Sequence, residues 1–294
     1  MEKIFSCIDA QISFNKGKNI FFEDNQFFFT FNSYMLKEIK NICLLNNNAG
    51  NEIIDYTTDK VLQELYRINQ YYYFNSEDKV NLRFIYSNLL KSILSKNTRI
   101  DILTKKHQEA LKSWLHLSNP FAEKLYINTK KNVKPVACSE YSALLQLKIL
   151  NINLNTITEP VLDIGCGKQG ILVKFLNKNG IKTIGIDRFI SKKENIIDVD
   201  WLEYEYGTSK WGTIISHLGF SNHFIHHNLR VDGNYQKYGE TYMNILQSLK
   251  KDGSFHYAPE LPFIELYLPK FQFIKTSLPI EGSDLKTSVI KKII

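Results

Sequence analysis

The sequence predicts an α/β domain over residues 135–294, closed by an antiparallel C-terminal hairpin and preceded over residues 1–134 by a mostly α-helical domain with a short β-hairpin. Three observations carry that expectation: a strand, glycine turn, helix and strand in residues 160–188; a series of amphipathic helical stretches before residue 120; and two short apolar runs at the end, parted by Pro279, Glu281 and Gly282. In the first of these, Val161-Leu162-Asp163-Ile164 is a short buried strand running into Gly165-Cys166-Gly167-Lys168-Gln169-Gly170. Ile171, Leu172, Phe175 and Leu176 then recur at helical spacing up to the stop signal Asn179-Gly180, and residues 181–186 form a second strand with Asp187 at its tip. Such a unit is a right-handed crossover between parallel strands, and ligands of these sheets sit outside the carboxyl ends of the strands.

Gly165 and Gly167 leave the turn without side chains, so a ligand can approach its N–H groups closely. Asp187, about twenty residues beyond the first glycine, is placed to accept hydrogen bonds from a ribose diol. An adenosine-containing cofactor follows. Gly165 to Gly170 also satisfies the G-x-G-x-x-G of dinucleotide sites, and Asp163 separates the two readings. A carboxylate two residues ahead of the first glycine repels a pyrophosphate and suits a ligand carrying an ammonium and a sulfonium.

With these residues in view, Asp163-Ile164-Gly165-Cys166-Gly167 followed by Gly185-Ile186-Asp187 resembles motifs I and II of the class I S-adenosylmethionine-dependent methyltransferases. The resemblance spans residues 159–294. It implies a Rossmann-like sheet of seven strands, the last antiparallel, with S-adenosyl-L-methionine across the tips of the first few strands. Asp163 and the Gly165-Cys166-Gly167 backbone would then hold the amino acid end of the cofactor, and Asp187 with its neighbour Arg188 the ribose. Cys166 is expected to pack as a small side chain and not to act as a nucleophile. Residues 196–201 resemble the third strand and its tip, which gives Asp200 the adenine amino group and Trp201 the ring. Residues 212–216 resemble the fourth strand, ending in Ser216 on the cofactor side. The chain continues Ser216-His217-Leu218-Gly219-Phe220 where many relatives carry Pro-Pro-Tyr, which argues against methylation of adenine or glutamine amino groups. Residues 250–253 stand at the family's next turn, followed by a fifth strand, a helix from Pro262, and the terminal hairpin. A helix opening at Ser139 and Glu140 would place Glu140 and Tyr141 at the pocket.

His217, His223, His226 and His227 fall in the stretch after the fourth strand, and His256 on the fifth strand is expected beside them. A histidine near the sulfonium can take a proton from an attacking hydroxyl, thiol or amine. His217 and His223 are the catalytic candidates. His223 and His227 at i and i+4 could instead ligate a metal, but no glutamate completes an H-E-x-x-H pattern, so no metal site is expected.

In the first half, residues 1–31 read as strands, with Ile20-Phe21-Phe22 and Phe27-Phe28-Phe29 flanking a hairpin turn. Helices are expected from Asn32-Ser33 to residue 45, stopped by residues 46–50, then from Thr58-Asp59, from Ser76, and over residues 102–118. The Tyr71-Tyr72-Tyr73-Phe74 cluster would pack these helices or border a substrate pocket. Residues 128–135 are the expected connection.

The formal charge of +7 comes without a dense lysine or arginine cluster, so nucleic acid is permitted as a partner and not indicated. Four scattered cysteines with no C-x-x-C pair suggest neither a zinc ribbon nor a disulfide framework. Without an apolar span or a signal-like start, a cytoplasmic protein away from membranes is expected. The functional expectation is methyl transfer to a small-molecule acceptor. The alternatives are an RNA or protein methyltransferase whose N-terminal half recognises the substrate, and a non-catalytic S-adenosylmethionine-binding protein. Nothing in the sequence sets the oligomeric state.

Overall fold

Two compact units make up the chain, Met1–Cys138 and Ser139–Ile294. The structure is a computed structural model, and it describes residues 1–22, 33–46, 48–95, 99–128, 132–136, 140–188 and 193–294.

The first unit is helical: α1 (Glu2–Phe14), α2 (Ser33–Leu45), α3 (Ala49–Ile68), α4 (Ser76–Leu94), α5 (Ile100–Ser118) and α6 (Pro120–Tyr126). At the start of the stretch expected as strands, residues 1–31, the chain forms α1 instead, because Ile4 and Ile8 bury a stripe of period four where a strand would need period two. Lys18 makes an isolated antiparallel bridge with Asn132, but Ile20-Phe21-Phe22 form a turn and not the first strand of the expected hairpin, with the Phe21 N–H donating to the Asn19 side chain and the Phe22 N–H to the Asn19 carbonyl; Phe27-Phe28-Phe29 and Asn32 lie outside the described residues. Helix α3 already begins at Ala49, so Thr58 does not open a helix. It sits mid-helix and its hydroxyl donates back to the Ile54 carbonyl at 2.8 Å. By contrast α4 begins where Ser76 predicts, fixed by a capping box in which the Asn75 side chain accepts from the Asp78 N–H and Asp78 accepts from the Asn75 N–H. The aromatic cluster packs these helices together: Phe74 stacks on Trp114 at 4.8 Å and meets the edge of Tyr66 at 5.4 Å.

The second unit runs α7 (Ala143–Ile149), β1 (Val161–Ile164), α8 (Ile171–Lys178), β2 (Thr183–Asp187), β3 (Ile196–Asp198), β4 (Trp211–His217), α9 (Phe220–Asn228), α10 (Tyr235–Ser248), β5 (Leu249–Ala258), α11 (Pro262–Glu265), β6 (Phe273–Pro279) and β7 (Lys286–Lys292). Its seven strands lie in the order β3-β2-β1-β4-β5-β7-β6. β7 is antiparallel to both of its neighbours, and the pairings among β3, β2, β1, β4 and β5 are parallel. A purely parallel dinucleotide sheet is thereby excluded, and the expected seven-stranded Rossmann-like sheet with an antiparallel C-terminal hairpin is found. The central strands are buried on both faces, as their continuous apolar runs predict.

Two local expectations need correction. Residues 250–253 are not a turn ahead of the fifth strand but part of β5, where the register slips so that two steps along β4 face five along β5 and Asp252 adopts φ 63°. Helix α7 starts at Ala143, capped by Ser142, so Glu140 and Tyr141 precede it.

Gly185 fixes how closely α8 and the turn can approach β2: a Cβ there would lie 2.7 Å from both Cys166 Sγ and Val173 Cγ2. Gly185→Ala should therefore cost about 1–3 kcal/mol of stability through overpacking, measured by urea denaturation, although alanine suits a strand at least as well as glycine.

Candidate active site

The parallel register sets Asp163 beside Gly185 and Ile215, and it brings the tips of β1, β2 and β4 to one edge of the sheet. From there β1 turns through Gly165 (φ 73°) and Gly167 (φ 75°), left-handed conformations that favour glycine. Asp187 at the tip of β2 secures this turn. One of its carboxylate oxygens accepts from the Gly167 N–H at 2.8 Å, and the other from the Arg188 N–H at 2.7 Å.

Asp163 is 2% exposed, and its Oδ2 has no hydrogen-bond partner. Burial, reinforced by the charge of Asp187, pushes its carboxyl up to about 7. Burial likewise raises Asp187, opposed by the backbone N–H bonds it accepts. An unsatisfied buried polar group costs about 1–3 kcal/mol, so this edge of the sheet holds an unmet demand for a cation or donor. The Cys166 side chain turns away from the turn into Val173 and Ile196, and burial raises its thiol far above the ordinary range. Its side chain is thus packing, and only its backbone belongs to the turn.

The glycine turn is covered from two sides. Glu140 Oε1 accepts from the Gln169 N–H at 3.1 Å and lies 3.3 Å from where a Cβ on Gly167 would stand. The Trp201 ring lies against Gly165, 3.1 Å from the corresponding Cβ position, and its buried Nε1 has no hydrogen-bond partner. Arg188 sits over that indole, 5.6 Å from guanidinium carbon to ring centroid, and pairs with Asp200 at 3.4 Å. Asp200 also accepts from the Leu202 N–H at 2.9 Å, so both of its oxygens are engaged within the protein. Ser216 is fully buried and used inside the sheet: its hydroxyl donates to the Ile164 carbonyl and accepts from the Phe220 N–H, which ties β4 to β1 and begins α9.

The histidines separate. His217, at the tip of β4, meets the edge of Tyr141 at 5.0 Å and has a buried Nε2 without a partner. Burial pushes its pKa down to about 4, well below the near-neutral value expected for a general base. His223 is buried edge-on against Trp201 at 4.9 Å, with Nδ1 3.4 Å from the Tyr238 hydroxyl, and burial lowers it as well. His227 stacks on Tyr238 at 4.9 Å, and its Nδ1 accepts from the Asn234 N–H at 3.1 Å. His226 pairs with Arg230 at 3.0 Å. His256 does not join the group: its ring nitrogens lie 3.0 Å from the Leu150 carbonyl and 2.9 Å from the Ser254 hydroxyl. Among the described residues no three His, Cys, Asp or Glu side chains are arranged to hold a metal ion.

Sequence reasoning missed two parts of this arrangement. Tyr238, fully buried between His223 and His227, was legible only as one of the aromatics of α10. Leu218 takes φ 59° directly after His217 and donates its N–H to the Ala258 carbonyl. No residue-type signal announces a leucine in that strained conformation.

A glycine turn closed by an acid from the next strand, over a seven-stranded sheet of this order, is the Rossmann-like arrangement that the sequence resemblance implies. No protein-family model matches the chain, and no curated protein sequence matches it. Among solved structures, it is similar to a TehB-like SAM-dependent methyltransferase from Corynebacterium glutamicum (14% identity, 53% of this chain and 90% of that chain, TM-score 0.36). It is similar also to the glycopeptide N-methyltransferase MtfA with S-adenosyl-L-homocysteine (11% identity, 60% and 98%, TM-score 0.37) and to a SAM-dependent methyltransferase from Archaeoglobus fulgidus (17% identity, 45% and 85%, TM-score 0.30). At these values the fold stands on the strand order itself. No helix among the described residues is long and apolar enough to cross a membrane.

Because the folded chain holds a proton on Asp163 to higher pH than the unfolded chain does, stability should fall as pH rises from about 4 to about 7. Asp163→Asn should flatten that fall and gain roughly 2–4 kcal/mol above pH 7, at about 1.36 kcal/mol per pKa unit, as read from urea midpoints across pH.

Proposed function

We propose that residues 139–294 bind S-adenosyl-L-methionine and transfer its methyl group to a small-molecule acceptor. The observation that supports this most is the buried, unpartnered oxygen of Asp163 beside a second acid at a bare glycine turn. Such a site favours a cation and disfavours a diphosphate. The residues present fit the cofactor: Asp163 would face its ammonium, the Gly165 to Gly167 backbone its carboxylate end, and Asp187 its ribose hydroxyls. A carboxylate offers about four lone-pair positions, and Asp187 spends two on backbone N–H groups, so two remain for the diol. Asp200 and Trp201 would take the adenine, with Arg188 holding both in place.

When bound, the cofactor supplies a methyl group on a positively charged sulfur, already activated for displacement. The protein then has to align the attacking atom and exclude water. His217, neutral across the physiological range, would accept a hydrogen bond from the acceptor group through its unpartnered Nε2, with Tyr141 fixing its ring. An attacking group becomes strongly acidic only as its new bond to carbon forms, so a base of low pKa is sufficient at that stage. His223 serves as a positioning residue for Trp201, held in turn by Tyr238. The helical unit is proposed to select the acceptor.

Calorimetry with S-adenosyl-L-methionine, S-adenosyl-L-homocysteine and NAD in parallel tests the reading. Both sulfur compounds should bind and NAD should not, and Asp163→Asn should weaken S-adenosyl-L-methionine about 10- to 100-fold, the worth of a charged hydrogen bond. A cationic ligand draws the proton off Asp163, so wild-type affinity should drop about tenfold per pH unit below 7 and level off above it. Binding of NAD alone would overturn the proposal.

A further inference from the structure

Within the helical unit Met1–Cys138 lies a cavity of about 200 Å³, bounded among the described residues by apolar side chains that include Ile8 of α1, Ile54 and Leu65 of α3, Leu89 of α4 and Leu111 of α5. The hollow is partly open to the surface, and its apolar walls leave hydrophobic area uncovered that a guest would remove from water. Several of the polar side chains at the wall are engaged with other parts of the protein, which leaves few partners for water. Asn19 donates to the Tyr126 carbonyl and accepts from the Phe21 N–H, the Thr57 hydroxyl donates to the Ile53 carbonyl, and Glu64 is paired with Arg67. Walls of that kind favour apolar guests; an enclosed cavity of roughly 150 Å³ lined by Leu, Ile and Phe holds benzene. The one imidazole in the wall, His107, is 4% exposed, is pushed down to about 4 by burial and lies against the ring of Tyr86 at 5.1 Å. It is therefore neutral under ordinary conditions, and the two charged side chains at the wall have partners of their own, Lys18 on the Asn15 side chain at 3.1 Å and Glu64 on Arg67 at 2.6 Å.

We propose that this cavity is a binding site for a neutral, predominantly apolar small molecule about the size of a fused two-ring aromatic. It extends the proposed function without depending on it, since the walls belong to the helical unit alone.

A fluorescence titration of the full chain with 1-aminonaphthalene, with indole as competitor, tests the proposal. Saturable one-to-one binding displaced by indole is expected. Ile54→Phe and Leu89→Trp, each adding bulk to a different wall, should each weaken binding at least tenfold while helical circular dichroism and S-adenosyl-L-methionine affinity stay at their wild-type values. Leu65→Phe is the replacement should either variant fail to fold. Absence of saturable binding to the wild-type chain, or unchanged affinity in a folded, filled variant, would overturn the assignment whatever the outcome with the methyl donor.

Discussion

The carboxylate of Asp187 is the tie on which the site depends. It bonds one N–H from the turn after β1 and one from the residue after its own strand, so the glycine turn cannot drift from the tip of β2. With the turn fixed, Asp163 is sealed beneath it, Glu140 and Trp201 have a flat backbone surface to lie on, and Gly185 lets α8 close down on the sheet. Each of these features would be costly alone. A buried carboxylate without a partner weakens the fold, and the surrounding strands tolerate it because they are buried on both faces and over-determine the backbone.

Much of this was legible from residue order. The run from Val161 to Asp187 combines a buried strand, a turn that needs positive φ and an amphipathic helix, and each local preference points to the same fold. The antiparallel hairpin was readable from two apolar runs separated by turn residues. Other features hid behind equally reasonable readings. Ile4 and Ile8 in a short aromatic-rich stretch suggested strands until their four-residue spacing was seen packed. Thr58-Asp59 carried the chemistry of a cap but sat within α3, where the threonine hydroxyl satisfies itself on the preceding turn. Residues 250–253 had the composition of a turn and were absorbed as a bulge in a long strand.

At the site, residue types survived better than residue roles. The expected acids, the two glycines, Trp201 and His217 do converge on the tips of β1, β2 and β4. What the sequence could not convey is direction. Cys166 and Ser216 point into the structure, His256 bonds to the Leu150 carbonyl, and His223 braces an indole. Nor could it convey dielectric surroundings: identical imidazoles are pulled from near neutrality to about 4 at His217 and about 3 at His227, in both cases chiefly by burial.

Trp201 adds an optical property to the molecule. Its indole rests on Gly165, while Trp211 is buried with its N–H on the Tyr206 carbonyl and Trp114 is stacked in the helical unit with its N–H on the Asp78 carbonyl. Of the two indoles in Ser139–Ile294, Trp201 is the one against the glycine turn, and its buried N–H has no hydrogen-bond partner. Anything that settles on that turn alters the polarity around a single fluorophore, so the intrinsic emission of the chain carries a built-in gauge of occupancy.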